Sequence, residues 1–413
     1  MRVLLSDGSG LTARQSATTL SEAGHVVEAL SPDPLCLCKF TSHVRRVHRV
    51  PCYGLDPFSW LDAALTIYAR GRFDVLLPTQ EQVAVLSASA ARLREVGVVT
   101  AVPPFDALAQ VQDKLSAFAT LTRLRIPQPS ASVIVTPEAL AAWEEFPIFL
   151  KAPIGTATSG VHLIAAAGDL DKLGPSWADA FAAGGLLAQA PVEGQLVMVQ
   201  SIFANGELLA FHACTRVREG ARGGASHKRS VVLPAVRQHM DRLGKELGWH
   251  GALSADVILG QDGPVFIDIN PRLVEPVNAL RSGVDLVGSL LDVARSAAQK
   301  PQPSASAGIN THQLLLAVLG AAQHDGKRGN ILGELRTACL HRGAYRNSKE
   351  ELTPPRHDPR ACGLVALAAT ATVIRPRAWK WFASGSVAAY ALTPAGWSQI
   401  VDRARRLRVC RSR

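Results

Sequence analysis

The stretch 265–273, VFIDINPRL, places an acid, an amide and a guanidinium within a few residues of one another. If it is a strand, its side chains alternate, so Phe266, Asp268 and Asn270 share one face while Ile267 and Ile269 share a core face. Just upstream, ALSADVIL (252–259) is a second apolar strand, and GQDGP between the two carries Asp262-Gly263 at a hairpin tip. With a three-residue loop at 261–263, Asp256 falls opposite Asp268 and Ser254 opposite Asn270. Opposed carboxylates at about 4 Å and an effective dielectric of about 20 repel by about 4 kcal/mol, and like charges so placed weaken strand pairing. A divalent cation offsets that cost. Two Asp and one Asn offer only oxygen, which suits Mg2+ better than zinc, and Mg2+ held by few carboxylates usually carries phosphate as well. Arg272, just beyond, fits such a phosphate. The alternative leaves Asp256 and Asp268 as solvent-facing edge residues in a register shifted by one.

Lysine is scarce in a chain rich in arginine, so its positions carry weight. Lys114 opens a helix after Asp113, and Lys151 ends the apolar strand FPIFLK. The next residues, APIGTATSG (152–160), combine Gly155 and Gly160 with Thr156, Thr158 and Ser159, a loop whose N–H groups can close over phosphate oxygens. A flexible surface hairpin is the other reading, and no G-x-x-x-x-G-K-[ST] motif occurs. LLAQAPVEG (186–194) is a strand ending in a polar residue and a short linker, a form suited to the edge of a planar base.

In this order, the two lysines, the Gly-rich loop, the linker ending in VEG and the D-x-N-P-R strand resemble the ATP-grasp superfamily over roughly residues 1–300. The nearest likeness is to its carboxylate–amine ligases of the carbamoyl-phosphate-synthase and amino-acid-ligase kind. The resemblance implies that Lys114 and Lys151 hold ATP phosphates, and that Gln189, Ala190 and Val192 meet adenine with Glu193 near the ribose. It implies that Asp256, Asp268 and Asn270 hold Mg2+ (two ions, with Mn2+ as a substitute) and that Arg272 and Lys151 act on the transferring phosphoryl group. Two departures stand out. The metal acids, often Glu in the family, are Asp here, and the usual hinge acid is Gln189. The implied reaction joins a carboxylate, plausibly an amino acid, to an amine through an acyl phosphate, releasing ADP and phosphate.

The segment 211–231, FHACTRVREGARGGASHKRSV, clusters Arg216, Arg218, Arg222, Lys228 and Arg229 around glycines. It reads as a solvated loop, a nucleic-acid contact or, by the resemblance, a loop in which Arg216 or Lys228 grips a substrate carboxylate or phosphate. GSGLTA (8–13) after a strand, with Glu28 beyond, matches a dinucleotide turn and makes an NAD(P)-dependent oxidoreductase the rival enzyme. A non-catalytic ATP- or nucleic-acid-binding protein is the rival outside catalysis. In the ligase reading the turn lines the substrate cleft with Thr79 and Glu81, which follow a strand end.

The elements that must position these residues follow from periodicity. The chain has 413 residues, 47% hydrophobic and 19% charged, too long for one compact core. Strands at 2–6, 25–30, 73–78 and 97–102 alternate with helices at 11–23, 59–69 and 81–94, a parallel α/β pattern over 1–110. The resemblance implies that this Rossmann-like α/β domain is followed by a two-lobed α+β ATP-grasp fold at 111–300, divided at 188/189. A C-terminal region, 301–413, follows the linker PQPSASAG and carries no readable motif. The net charge of +10 comes from arginines spread along the whole chain, so nucleic acid is not the expected partner. Seven cysteines without C-x-x-C spacing point to reduced thiols and a cytoplasmic setting. No apolar run approaches a membrane span, and a homodimer is the expected assembly.

Overall fold

The computed structural model describes the chain except for residues 157–158, 174–176, 298–299, 353–357 and 412–413. Strands β1 (Arg2–Leu5), β2 (Val26–Ser31), β3 (Arg46–Arg49) and β4 (Val75–Leu77) form a parallel sheet in the order β3-β2-β1-β4. Successive residues of β1 go to opposite cores. Leu4 packs with Trp60, Leu61 and Tyr68 of the helix Pro57–Gly71, while Val3 and Leu5 pack with Ala13, Ala17 and Leu20 of the helix Leu11–Glu22. A parallel strand covered on both faces is apolar throughout, which is why these strands stand out in the sequence.

The expected strand at 97–102 does not form. That segment touches β4 through one backbone bond, Leu76 N–H to the Val99 carbonyl at 2.9 Å. The Val99 N–H goes to the Tyr68 hydroxyl, and Pro103 and Pro104 have no N–H to continue a ladder. The helix expected at 81–94 is broken into Val83–Ala88 and Ala90–Glu95.

A second, antiparallel sheet contains β5 (Ala131–Ile134), β6 (Ile148–Lys151), β7 (Val161–Ile164) and β8 (Leu186–Gln189), in the order β5-β8-β6-β7. Ile134, Ile148, Leu150, Ile164, Leu186 and Ala188 bury one face in a single core. Strand alternation then sends Lys151, Leu187 and Gln189 to the other face.

The third sheet has β9 (Gln195–Ala204), β10 (Glu207–Glu219), β11 (Ala225–Val231), β12 (Gly251–Gly260), β13 (Gly263–Asn270), β14 (Asn310–His312) and β15 (Ser348–Glu350). Its order is β13-β12-β9-β10-β11-β14-β15. Asn205 and Gly206, both at positive φ, make the tight turn between β9 and β10. The region beyond 300 therefore extends this sheet by two strands. It also supplies the helix Pro359–Ile374, and Leu392 and Ile400 join the core that contains Trp60.

One buried ammonium ties these parts together. Lys228 of β11 is 2% exposed and donates to Glu275, which follows β13, and to Glu351 at 2.6 Å, beyond β15. Gln15 of the first helix donates to the same Glu351 oxygen at 3.0 Å, and Thr311 to its other oxygen at 2.6 Å. Burial alone would lower the Lys228 pKa, and the two carboxylates more than reverse it. Removing one member of such a network strands buried charge, at about 3–5 kcal/mol. Lys228→Ala should lose stability on that scale in urea unfolding, and a loss below about 1 kcal/mol would show that the network holds nothing together.

Candidate active site

The hairpin β12–β13 brings Asp256 opposite Asp268 and Ser254 opposite Asn270, by a route the three-residue loop did not anticipate. Gly260 pairs with Gly263, so the turn is only Gln261-Asp262, which by itself would shift the register by one. A bulge at Ile267 restores it: Val257 pairs with Phe266, and Asp256 then pairs with Asp268. The bulge also reassigns the faces. Phe266 and Ile269, not Ile267 and Ile269, enter the core beside Ala255 and Val257. Ile267 is left half-buried, and its carbonyl accepts a hydrogen bond from Lys151 Nζ at 2.8 Å.

Burial, and then the neighbouring Asp268, push the Asp256 carboxyl up to about 6, against the pull of Arg272, Lys151 and Arg216. The Asp268 Oδ1 accepts the Ile269 N–H at 3.1 Å. Burial lowers the Lys151 ammonium pKa, with Asp268 acting against it and Lys114 with it. Among the described residues no three His, Cys, Asp or Glu side chains gather as a metal site. The arrangement is two acids and an amide, an oxygen-only set whose mutual repulsion a Mg2+ ion would relieve.

Across the cleft, Asp113 caps the helix Lys114–Arg123 by accepting the Ser116 N–H at 2.8 Å, which starts the helix at Lys114. The Lys114 N–H donates to the Pro153 carbonyl at 2.9 Å, and its Nζ to the Gly155 carbonyl at 3.3 Å. Gly155 is required by close approach, since a β-carbon there would lie 2.0 Å from the Ser159 carbonyl oxygen. Lys114, Gly155, Thr156, Asp268, Asn270 and Glu81 line one pocket between the second and third sheets. Thr158, expected in the loop, lies outside the described residues.

On the second sheet, Gln189 is buried on the face it shares with Lys151. The Ala190 N–H donates to the Ser130 carbonyl at 2.8 Å, while Val192 is half-buried and Glu193 exposed. Arg272 Nε donates to Glu81 Oε1 at 2.9 Å, and Gln112 donates to the other Glu81 oxygen at 3.3 Å. Burial works to lower the Arg272 pKa, but Glu81 raises it on balance. Arg216 donates to the Gly223 carbonyl at 2.8 Å and meets Glu219 at 3.4 Å, within electrostatic reach of Asp256. Lys228 is taken up by Glu275 and Glu351, away from the role expected at a substrate.

The dinucleotide reading loses its footing in the first turn. The Ser9 and Gly10 N–H groups, which would cradle a pyrophosphate, donate to Asp7 Oδ2 at 3.0 and 2.7 Å. Glu28, the would-be ribose acid, holds Arg2 at 3.0 Å and His48 at 2.6 Å. Sequence reasoning missed Asp7, Glu275 and Tyr390. Tyr390, from the helix Trp379–Tyr390, lies within electrostatic reach of Arg272, Asp7, Glu81 and Glu275, and no motif announces it. Glu275 stands three residues past Arg272, and Asp7 opens the first turn, so both were within sight of the motifs. Among the described residues no cysteines pair, and no helix is long and apolar enough to cross a membrane.

Comparison with known proteins bears on the fold. A family model described as an ATP-grasp domain matches residues 111–276. This part of the chain is an ATP-grasp domain. The fold is shared with the biotin carboxylase domain of 2-oxoglutarate carboxylase from Hydrogenobacter thermophilus, solved with MgADP, ADP and bicarbonate. The TM-score is 0.58 at 18% identity, over 75% of this chain and 73% of that one. Biotin carboxylase from Campylobacter jejuni gives 0.58 at 18% identity, over 75% and 74% of the two chains. N5-carboxyaminoimidazole ribonucleotide synthetase from Thermus thermophilus gives 0.55 at 17%, over 75% and 81%. No curated protein matches the chain by sequence.

Two outcomes test the site. Lys151→Ala should weaken ATP binding by about 10–100-fold in calorimetry, the worth of a charge-assisted contact; unchanged affinity would remove Lys151 from the site. Asp256→Asn should raise the melting temperature in the absence of Mg2+, because it removes one of two opposed carboxylates, and a lower melting temperature would contradict the repulsion.

Proposed function

We propose that the chain is an ATP-dependent carboxylate–amine ligase working through an acyl phosphate. The observation that carries this reading is the pocket lined by Lys114, Asp268 and Asn270, with Lys151 bonded to the Ile267 carbonyl next to Asp268 and Asp256 directly across the hairpin. In this reading residues 1–110 line the substrate side, 111–188 and 189–300 form the two lobes, and 301–413 closes the sheet and cleft.

Asp256, Asp268 and Asn270 would hold Mg2+, which supplies charge neutralisation at the phosphates. Lys151 and Lys114 bind phosphate oxygens, and the loop 152–160 excludes water from them. Gln189 and the backbone at Val192 receive adenine, with Glu193 at the ribose edge. The substrate carboxylate oxygen attacks the γ-phosphorus, and the bond from that phosphorus to the β,γ-bridging oxygen breaks with its electron pair leaving on ADP. An amine nitrogen then attacks the acyl carbon, phosphate departs with the carbon–oxygen pair, and the nitrogen loses a proton to give a neutral amide. Arg272, aimed by Glu81, neutralises charge on the transferring phosphoryl group, and Arg216 faces the substrate side of Asp256. Catalysis here is positioning and electrostatics, and no side-chain nucleophile is needed.

The test is a screen of amino acids, other small carboxylates and bicarbonate, each with a panel of amines, for nucleotide products. ADP and phosphate are expected; AMP and pyrophosphate would overturn the acyl-phosphate route.

A further inference from the structure

Asp7 follows β1 and is 1% exposed. Its Oδ2 accepts the N–H groups of Ser9 and Gly10, while its Oδ1 has no hydrogen-bond partner. Gln80, 3% exposed, lies against the same turn: a β-carbon on Gly10 would fall 2.3 Å from Gln80 Nε2 and 3.2 Å from Asp7 Oδ2. The Gln80 Oε1 is likewise buried without a partner. Two buried acceptors on neighbouring side chains therefore lack donors, a costly state that native proteins rarely leave unexplained.

The surrounding charges identify what is missing. Asp7, Glu81 and Glu275 all act on the Tyr390 hydroxyl, together with Arg272. Glu81 is paired with Arg272, and Glu275 with Lys228. No salt bridge is formed by Asp7 among the described residues. An anionic ligand does not fit, because Asp7 already occupies the N–H groups of the turn. A hydroxyl could serve one acceptor but would leave the charge in place. The complement is a cation with several N–H donors.

We propose that the β1 turn and Gln80 form a subsite for the primary ammonium group of an amino-acid substrate, with Asp7 Oδ1 and Gln80 Oε1 as its acceptors. The carboxylate of the same molecule is then the group presented toward Arg272 for phosphorylation. That second half rests on the ligase reading above; the ammonium subsite does not. Tyr390, carried by the C-terminal region, lies within electrostatic reach of both Asp7 and Arg272.

The experiment measures thermal stability of the full chain and of Asp7→Asn, which keeps an oxygen for the turn N–H groups. The probes are methylammonium chloride and, as a cation without N–H donors, tetramethylammonium chloride. Methylammonium should raise the melting temperature of the native chain by about 2 °C or more and leave Asp7→Asn unmoved, and tetramethylammonium should do neither. Equal protection of both proteins, equal protection by both cations, or no protection at all would overturn the subsite, the last meaning that a buried water alone serves Asp7.

A second readout uses pH. Burial pushes the Asp7 carboxyl up to about 6, so in the free protein stability is lost as pH rises through the interval from its ordinary value to about 6. Asp7→Asn should therefore be more stable than the native chain at pH 8, with the gain vanishing toward pH 4. Of the groups facing Asp7, burial pushes Cys36 to about 11 and Tyr390 to about 12, and Cys38 rises well above its usual value, so these three do not titrate in that window. The ion pairs of Glu81 with Arg272 and of Glu275 with Lys228 are the same in the native chain and the variant, so the comparison between the two isolates Asp7. A variant less stable at pH 8 would mean that Asp7 is structural. Both readouts are independent of turnover, so absence of ADP release would count against the ligase reading and leave this one standing.

Discussion

Asp256 and Asp268 are held face to face on paired strands, half-buried, in a place where burial and then the neighbouring Asp268 raise the cost of ionising Asp256. No arrangement of the strand pair alone relieves that repulsion. The cations within reach, Lys151, Arg272 and Arg216, come from three other places in the fold, and even together they leave Asp256 with a raised pKa. The bulge at Ile267 is the local device that maintains this pairing. It absorbs the residue that the tight turn at Gln261-Asp262 leaves over, and it turns the Ile267 carbonyl toward Lys151. One backbone irregularity thus sets the acid pair and docks Lys151 of the second sheet.

The remaining architecture supports that pairing from a distance. Glu81, from the first sheet, orients Arg272 at the end of β13, so the parallel domain reaches the chemistry through an ion pair. Lys228 joins the loop after β13 to the C-terminal strands and, through Glu351, to the first helix. The C-terminal region therefore belongs to the same sheet as the acids, and Tyr390 returns from it to the junction of Asp7 and Arg272. Site and scaffold are continuous.

How much of this the sequence discloses depends on how local the cause is. Lys151, Asp268 and Asn270 were legible because they close short apolar strands, where alternation and a break in composition coincide, and Lys114 because it opens a helix just after Asp113. The register of Asp256 with Asp268 was legible too, although the loop and the bulge trade one residue between them and a loop length alone cannot reveal the exchange. That exchange is why Ile267 reads as core and Phe266 does not, opposite to the fold. Segment 97–102 reads as a strand by composition, but the hydroxyl of Tyr68 and two prolines decide otherwise. Lys228 reads as a ligand-binding base because nothing near it in sequence shows Glu351, more than a hundred residues away. Tyr390 and the role of the C-terminal strands depend wholly on such long-range contacts, and no local pattern encodes them.

The most direct test of the account is the linkage between metal and nucleotide at the acid pair. Calorimetric titration of ATP into the native chain and into the Asp256→Asn/Asp268→Asn double variant, each with Mg2+ and with a chelator, separates the acids from the rest of the site. Binding to the native chain should be at least about 10-fold tighter with Mg2+, a gain of about 1.4 kcal/mol, and the double variant should show no such gain. An equal Mg2+ effect in both proteins would contradict the assignment of the opposed carboxylates to the metal.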